Sequence, residues 1–581
     1  MKKIKKSVLN KKQNYKIKNN NFKFSNKNDE KIFTIFLVVF AFLSFALFLY
    51  QEYSFIKDSL LPNETILNAF NQKNILKKKE AIEIAKNHIQ YNNIIDIKLL
   101  EKFDVSINYF KSGREISFLE HVLGKEKAME YISKYDIPLN YYGVRFFKEY
   151  EIEEITVYID DYSKRVIGFS YYIPKNKTEL LNNLTKDEAK IKALDYLKNE
   201  NFNLTNLEEK DYSTEKIQKR IDHHFTYKIT DSVINSEYGE AYLELKIDIL
   251  GNKIGGYRYF LLIPEDFTKN TNKELELGNF LSLISLFATL IIFLIAFTIS
   301  IINIIKKKTK WKFFLTISII SFIFLFIEKI NSIPAIKYNY PTNLPFEAYL
   351  GNFILISVVL IFLSCLIIFT TGTAGFALTN EIWPKKIKDL IDISEKKIFT
   401  KRISYSILRG YLIAMLIFGI TVITYIIGER FLGIWSLNLE EISTSNLVYI
   451  PFFTIFVISL IEAAILEEFT YRLFGISFFK KYLGSTFLAV LIPTLIWAIA
   501  HSNYPVFPIY FRAIELIIIG IIMSYFFLRY NITTVITTHY ILDAVYLGIG
   551  LIFSGSLFLI LGEIFILSLP LIIAIIGLIK K

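Results

Sequence analysis

The sequence predicts an all-α polytopic membrane bundle of about ten transmembrane helices, with an α+β extracytoplasmic domain inserted after the first helix. Two observations lead to this fold class. Hydrophobic residues make up 52% of the 581 residues, and long uncharged apolar runs fill most of the chain after residue 279. Residues 51–275, in contrast, have the mixed charge of a soluble domain.

The chain divides into five consecutive segments. Residues 1–31 form a basic cytoplasmic tail, and the apolar run 32–50 is long enough to favour an uncleaved signal anchor over a cleaved signal peptide. Residues 51–275 form the exported domain. Segment 279–402 contains transmembrane helices 2–4 and a basic connector, and segment 403–581 contains the ionisable residues of interest and the last membrane helices.

Ten apolar runs have the length of a membrane span or come close to it, because roughly 20 mostly apolar residues cross the hydrocarbon core. The third, seventh and eighth are short. The runs are 32–50, 280–305, 313–327, 353–376, 403–427, 447–474, 486–500, 513–528, 532–552 and 557–579.

Basic connectors set the predicted orientation, because Lys and Arg in short loops stay on the cytoplasmic side. With the N-terminus in the cytoplasm, the basic connectors 306–312, 385–402 and 480–481 all fall on that side. Glu440 and Glu441 lie in a connector on the opposite side. An even number of spans then places both termini in the cytoplasm. A chain rich in Lys, Asn and Ile is typical of a bacterium, so the membrane is predicted to be a bacterial plasma membrane.

The composition argues against a nucleic-acid-binding protein and against a protein held together by disulfides or a Cys-based metal cluster. The net charge of +12 could indicate nucleic-acid binding. Much of the excess, however, lies in the N-terminal tail and beside apolar runs, where it sets membrane orientation. The single cysteine, Cys365, lies inside an apolar run, so neither an intrachain disulfide nor a Cys-based metal cluster can form.

The exported domain contains an internal repeat. Residues 159–171 and 247–259 match position for position at an Ile-Asp pair, a Lys, an aliphatic residue, a Gly, an aromatic residue and a final Tyr. Each copy is typical of a hairpin with polar turn residues. A helix with apolar residues at helical spacing precedes each copy. These residues are Ala81, Ala85 and Ile89 in the first helix and Ala189, Ala193 and Leu197 in the second.

The order of a helix followed by antiparallel strands resembles the PepSY-type domains of secreted or membrane-attached bacterial proteins. From its location, we expect this domain to bind a peptide or protein ligand outside the membrane. His223 and His224 are adjacent on a predicted strand, so one is expected to be buried and the other to lie on the surface, rather than both binding a metal.

Ionisable residues inside apolar runs are concentrated near the C-terminus. Such residues are costly in a membrane, and by default they mark a functional site or a structural pair. Between 447 and 552 they are Glu462, Glu467, Glu468, Arg472, His501, Glu515, His539 and Asp543.

The segment 467–472, Glu-Glu-Phe-Thr-Tyr-Arg, contains two of these acids and an arginine. On a helix Glu468 and Arg472 lie four residues apart and can form an ion pair, whereas Glu467 faces another direction. Glu467 is then available as a general base that takes a proton from water. The alternative is that both acids only hold helices together.

His539 and Asp543 are also four residues apart on one predicted helix, so both side chains can point into one cavity. An acid beside a histidine can fix its tautomer or keep it cationic, and either form can stabilise an oxyanion. The alternative is a clamp between helices. His501 ends the run 486–500, and by itself it would be an ordinary histidine at the membrane interface.

In this order, the three groups of residues resemble the CPBP family (CAAX prenyl protease and bacteriocin-processing, ABI) of intramembrane proteases. The motifs of that family are Glu-Glu-x-x-x-Arg, Phe-x-x-x-His and His-x-x-x-Asn or Asp. The resemblance covers roughly 405–552. The second motif departs from the family pattern, because Trp497 stands where Phe is usual.

The resemblance implies a role for each residue of the three motifs. Glu467 would activate the attacking water, and His501 would assist it or bind the same water. The oxyanion would be stabilised by His539 together with Asp543. Glu468 and Arg472 would hold the first of the motif helices in place.

The sequence leaves the cofactor open between none and zinc. Glu467, His501 and His539 are residue types that bind zinc, but there is no His-Glu-x-x-His helix.

The depth of the three motifs in the membrane is a second open question. Counted from the cytoplasmic ends of their runs, Glu467 and His539 lie about 10 Å deep, whereas His501 follows about 15 apolar residues and falls nearer the opposite face.

The predicted function is hydrolysis of peptide bonds in membrane-associated or leader-bearing peptides and proteins. Eukaryotic-type prenylated proteins are not expected as substrates in a bacterium. Two alternatives remain. A non-catalytic bacteriocin-immunity or envelope sensor protein could keep the same helices, and a transporter would also bury charged residues between helices.

Overall fold

The computed structural model describes residues 27–59, 76–138, 140–174, 183–437, 448–554 and 556–580. Most of the predicted basic tail, together with Glu440 and Glu441, lies outside these residues. The described chain begins with a long helix, α1 (Lys27–Ser59). A sheet domain follows it, and a bundle of mostly apolar helices makes up the rest.

The sheet domain consists of five helices and nine strands. Two single 3₁₀ turns, at Leu204–Asn206 and Thr230–Ser232, connect its elements. The helices are α2 (Lys78–Tyr91), α3 (Ile97–Leu100), α4 (Gly113–Leu123), α5 (Lys125–Tyr135) and α6 (Lys186–Asn199). The strands are β1 (Asp104–Lys111), β2 (Asn140–Phe147), β3 (Glu154–Asp160), β4 (Val166–Tyr172), β5 (Leu207–Ile217), β6 (Arg220–Ile229), β7 (Ile234–Ser236), β8 (Gly239–Leu250) and β9 (Lys253–Leu262).

The nine strands form one antiparallel sheet in the order β1-β2-β3-β4-β9-β8-β6-β5, with β7 paired to β8. The two hairpins of the sequence repeat are β3–β4 and β8–β9. Their last strands, β4 and β9, pair with each other at the centre of the sheet through Gly168, Phe169 and Ser170. The two copies therefore meet at the centre of the sheet. Helix α2 precedes the first strand of one half, and α6 precedes the first strand of the other.

Apolar side chains of α2 and α6 form the main core of the domain. The residues predicted from helical spacing, such as Ala85 in α2 and Ala193 in α6, are fully buried in it. The histidine prediction is also confirmed. His223 is buried and contacts the Tyr212 hydroxyl through Nδ1 at 2.9 Å, whereas His224 is partly exposed beside Asp248.

Asp161, in the turn of the first hairpin, lies in an environment that disfavours its charged form. Burial raises the pKa of Asp161 from 3.8 to about 6, against the opposing effect of the Tyr109 hydroxyl, which donates a hydrogen bond to Oδ2 at 2.7 Å. Because the folded-state pKa exceeds the unfolded value, the corresponding stability is fully present below pH 3.8 and is lost as the pH rises through 6.

Asp161→Asn is therefore expected to stabilise the sheet domain at pH 8 by about 2.5 kcal/mol more than it does at pH 4, because Asn has no charge to bury. The measurement is the unfolding free energy of the sheet domain in the full-length protein at both pH values. Asp136→Asn is the control, because the Asp136 side chain is largely exposed. An equal effect of Asp161→Asn at pH 4 and pH 8 would contradict the prediction.

Among the described residues, the predicted apolar runs of the membrane part are helical except at 448–450. Two segments of π-helical hydrogen bonding, Ile458–Ile465 and Glu468–Ile476, join α13 to α14, so that 451–483 is one continuous helical run. The helices are α7 (Glu265–Ile305), α8 (Trp311–Asn331), α9 (Ile333–Tyr338), α10 (Phe346–Ile382), α11 (Lys388–Ser394), α12 (Lys401–Leu432), α13 (Pro451–Val457), α14 (Ser477–Leu483), α15 (Thr486–Ala500), α16 (Tyr510–Arg529), α17 (Ile532–Ile552) and α18 (Leu557–Ile579). A 3₁₀ turn, Pro384–Ile387, precedes α11, and two short strands, β10 (Trp435–Ser436) and β11 (Val506–Phe507), pair with each other.

Eight helices among the described residues are long and apolar enough to cross a membrane: α1, α7, α8, α10, α12, α16, α17 and α18. The other two predicted spans are the run 451–483 and α15, which is apolar but short. The protein is a multi-pass membrane protein with an antiparallel sheet domain after its first helix. The number of ten crossings stays a prediction.

Helix α1 packs into this bundle against α12. Phe48 of α1 is buried and stacks on Phe418, with the ring centroids 4.5 Å apart. Ser44 lies against Gly419, where a Cβ atom would come within 2.5 Å of the Ser44 Cα. A helix packed in this way has the contacts of a permanent part of the bundle.

Helix α7 connects the two parts of the molecule without a break. It begins after Pro264, directly behind β9, and continues to Ile305. The sequence assigned 265–275 to the exported domain because these residues are charged and polar, and the structure shows them as the first turns of this membrane helix. The segment boundary at 275 therefore falls inside one helix.

The sheet domain also contacts the connection between α8 and α10. Nη1 of Arg145 donates hydrogen bonds to the carbonyl oxygens of Tyr338 and Tyr340 at 2.7 and 2.8 Å. The Glu149 carboxylate accepts a hydrogen bond from the Phe346 amide, the first residue of α10, at 2.5 Å. These contacts fix the domain against the end of the helix bundle.

Candidate active site

Three membrane elements bring the predicted site residues together: the helical run 451–483, α15 and α17. The ends of α15 and α17 are fixed by side-chain caps. Ser485 accepts a hydrogen bond from the Leu488 amide, and Asn531 accepts one from the Thr534 amide at 2.9 Å. Glu467 and Glu468 lie where the two π-helical segments meet, and π-helical turns inside longer helices are frequent at functional sites.

Glu468 is at the centre of a fully buried network. Its Oε1 accepts hydrogen bonds from Nη1 of Arg472 at 2.9 Å and from Nδ1 of His539 at 2.8 Å. The side chains of Glu468 and Arg472 are 0% and 1% exposed. The ion pair predicted from the four-residue spacing is present, and it extends to a histidine 71 residues further along the chain.

The contact with Glu468 determines how His539 is oriented. A carboxylate only accepts hydrogen bonds, so Nδ1 of His539 carries the proton and Nε2 points away from Glu468. Nε2 faces Oε2 of Glu467 at 3.8 Å and Oδ2 of Asp543 at 3.7 Å. The sequence argument gave the tautomer-fixing role to Asp543, and in the structure Glu468 has it, because Asp543 is beyond hydrogen-bonding distance.

Trp497 links the first and third motifs. Its Nε1–H donates a hydrogen bond to Oε2 of Glu467, and its ring lies 4.3 Å from the Arg472 guanidinium carbon and 6.1 Å from the His539 ring. A phenylalanine at this position could keep the two ring contacts but could not donate the hydrogen bond. The sequence signal for this role was the exchange of Phe for Trp in the second motif.

His501 follows the last residue of α15 and is joined to the site through Trp497. Its Nδ1 lies 2.8 Å from the carbonyl oxygen of Trp497, and the two rings are 5.3 Å apart. Nδ1 therefore carries the proton, and the unprotonated Nε2 can accept a hydrogen bond. The Trp497 ring contacts both His501 and His539, so His501 lies at the edge of the same site.

The length of the first motif helix bears on the predicted depth of Glu467. The sequence argument ended this span near Phe474, which placed Glu467 close to the cytoplasmic face. The helical run continues to Leu483, so Glu467 lies farther from that end and level with Trp497. His501 directly follows α15, one turn beyond Trp497, and is therefore near Glu467.

Arg512 is a charged residue near the site that the sequence argument missed. Its Nη1 donates a hydrogen bond to Glu515 at 2.7 Å, and its guanidinium lies 5.1 Å from the centre of the Tyr504 ring. The Tyr504 ring lies 5.8 Å from the His501 ring, so Tyr504 connects Arg512 to the edge of the site. The sequence feature that could have identified Arg512 is its position three residues before Glu515, a glutamate inside an apolar run.

The residues of this site that could bind zinc are Glu467, His501 and His539. In the described part of the chain, no group of three or more His, Cys, Asp or Glu residues is arranged to hold a metal ion. Nδ1 of His539 is occupied by Glu468, and Oε2 of Glu467 accepts the Trp497 indole N–H. A histidine that binds a metal usually donates its other ring N–H to an oxygen, so these two contacts do not exclude zinc. No catalytic step is assigned to a metal.

One comparison with known proteins gave a match. Residues 449–545 match a family model described as Type II CAAX prenyl endopeptidase Rce1-like. The matched segment includes all six motif residues predicted from the sequence and indicates a peptidase of the CAAX type. Searches of curated proteins and of solved structures gave no match. The PepSY-like character of the sheet domain therefore stays a prediction.

Proposed function

We propose that the segment 449–545, which matches the Rce1-like family, makes this chain an intramembrane endopeptidase that activates water with Glu467. The observation that supports this most directly is the 3.8 Å separation between Oε2 of Glu467 and Nε2 of His539. This gap is too long for a hydrogen bond, and a single water or substrate oxygen can contact both atoms. A base and a hydrogen-bond donor then face the same reacting group.

In the proposed reaction, Glu467 takes a proton from water while the water oxygen attacks the carbonyl carbon of the scissile peptide bond. The carbonyl oxygen becomes an oxyanion and accepts a hydrogen bond from Nε2–H of a doubly protonated His539. The protonated Glu467 then gives its proton to the leaving nitrogen, and the carbon–nitrogen bond breaks. The products are one chain with a new carboxyl group and one with a new amino group.

The other site residues support these two groups. Glu468 holds the His539 ring, and Arg472 balances the charge of Glu468. Asp543, 3.7 Å from Nε2 of His539, favours the doubly protonated ring by its charge. The free Nε2 of His501 is suited to accept a hydrogen bond from the attacking water.

We further propose that the sheet domain lies outside the cytoplasm of a bacterial cell, with both termini inside. A site enclosed by membrane helices can reach segments that are themselves held in the bilayer. The substrates proposed are therefore membrane-associated or leader-bearing peptides and proteins, and a peptide or protein ligand of the sheet domain would be bound outside.

The test of this function is cleavage of a library of membrane-anchored reporter peptides by the purified full-length protein in lipid nanodiscs, with the products identified by mass spectrometry. We expect a defined cut close to the membrane surface or within the span. The reaction is repeated with a zinc chelator, and activity unaffected by the chelator agrees with the glutamate mechanism. Failure of the wild-type protein to cut any member of the library would contradict the proposal.

Trp497→Phe is expected to lower kcat about tenfold and leave KM nearly unchanged, because Glu467 loses the hydrogen bond that orients its carboxylate while the aromatic packing remains. Steady-state kinetics on one cleaved reporter measures the effect. Trp311→Phe, at the start of α8, is the matched control. A Trp497→Phe protein with wild-type kcat would show that this hydrogen bond has no part in the reaction.

A further inference from the structure

One face of α7 is lined with small and hydroxyl-bearing residues that meet the helices of the site. Helix α7 lies far upstream of the segment that matches the protease family. The spacing of these residues, four, three and four along the helix, places them on one side. They are Gly278, Ser282, Ser285 and Thr289.

Two of these hydroxyls reach across to the backbone of α15. The Ser282 hydroxyl donates a hydrogen bond to the carbonyl oxygen of Ala500 at 2.7 Å, and the Ser285 hydroxyl donates one to the carbonyl oxygen of Ile496. Ala500 ends α15, so its carbonyl is among those with no partner inside the helix. Each bonded carbonyl belongs to the residue directly before a site residue, His501 in one case and Trp497 in the other.

Gly278, one turn before Ser282, brings α7 close to the loop that follows His501. A Cβ atom at this position would meet the carbonyl oxygen of Ser502 and lie 2.7 Å from Cγ1 of Ile509. One turn earlier, the Glu274 carboxylate accepts a hydrogen bond from the Ile509 amide at 3.1 Å. Small residues at such contacts let helix backbones approach closely. Helix α7 therefore holds both ends of the loop that follows His501.

Ser282 and Ser285 make a different kind of hydrogen bond from Thr298 on the same helix. Thr298 donates its hydroxyl hydrogen bond to the carbonyl oxygen of Leu294, four residues earlier in α7 itself. That is the ordinary way for a hydroxyl to be satisfied inside a membrane helix. Ser282 and Ser285 instead donate to another helix, at the two positions that bear on the site.

We propose that Ser282 and Ser285 are positioning residues for the reaction, which hold Trp497 and His501 at the level of Glu467 through the backbone of α15. The inference rests on the proposed function, since it assigns the two serines a part in the same site. Their effect reaches Glu467 through the Trp497 indole, which donates a hydrogen bond to its carboxylate. An error of about 1 Å in the placement of such groups can cost up to about a hundredfold in rate.

The first test is the cleavage kinetics of the full-length protein in nanodiscs. Ser282→Ala is expected to lower kcat about tenfold with KM changed less than about twofold. Ser282→Thr keeps a hydroxyl and is expected to recover most of the lost kcat. Thr298→Ala removes a hydroxyl of the same helix that is bonded within it, and its kcat is expected to equal that of the wild type.

A second measurement needs no substrate. Hydrogen–deuterium exchange of the backbone amides from 501 to 504 is expected to be faster in Ser282→Ala than in the wild type and unchanged in Thr298→Ala. Unchanged kcat or unchanged exchange in Ser282→Ala would overturn the inference. A wild-type protein that cleaves no reporter would instead overturn the proposed function, and the exchange experiment would still decide whether Ser282 holds this loop.

Discussion

A Glu467→Gln variant should cleave membrane-anchored peptides about 10³-fold more slowly than the wild-type protein, because glutamine cannot take the proton from water. The substitution keeps the size of the side chain and an oxygen that can accept the Trp497 indole hydrogen bond. Glu467 is only 20% exposed and has no cationic partner within hydrogen-bonding distance among the described residues. The loss should therefore appear in kcat rather than in folding.

The measurement is the single-turnover cleavage rate of one reporter, together with the thermal midpoint of each protein. Glu462→Gln is the matched control, since Glu462 lies on the same helical run, near Glu328 and Lys329 rather than near His539. We expect it to cleave at the wild-type rate. If Glu467→Gln cleaves as fast as Glu462→Gln, Glu467 is not the general base.

Glu468→Leu is expected to lower the free energy of unfolding by about 3–5 kcal/mol, the largest stability effect expected in the membrane part. Arg472 would remain 1% exposed with no counter-charge, and His539 would lose the acceptor of its Nδ1–H. A buried charge without a partner is costly in a medium of low polarity.

A double-mutant cycle separates this cost from a loss of packing. The double variant Glu468→Leu with Arg472→Met removes both charges of the pair, and it should be more stable than the sum of the two single effects by about 1.5 kcal/mol or more. Unfolding is measured in detergent micelles for the wild type, both single variants and the double variant. Additive single effects would show that the pair is not coupled and that the prediction is wrong.

The spacing of residues along single helices predicted part of the candidate site. The pairing of Glu468 with Arg472 was predictable because residues four apart on a helix are neighbours. The bond from His539 to Glu468 was not, because it joins two helices whose packing depends on the side chains between them. The end of the first motif helix was also not predictable, since the polar residues near 480 hid its continuation beyond Phe474.

In the sheet domain, the alternation of residues and the turn chemistry predicted the two hairpins and the buried faces of two helices. The pairing of β4 with β9 at the centre of the sheet was not predictable, because strands from distant parts of a chain leave no local pattern. The same holds for Trp435, which stacks on Phe507 of the loop after His501 and contacts His121 of the sheet domain.

The unbroken course of α7 has a consequence for where this protein can be divided. A shortened protein that began at α12 would contain every motif residue of the family match, yet it would lack the hydroxyls that hold α15. We therefore expect that a piece limited to the region of sequence similarity does not work by itself. We expect the two pieces 1–310 and 311–581 to regain activity only when they are produced together, so the upstream half behaves as a missing subunit of the downstream half.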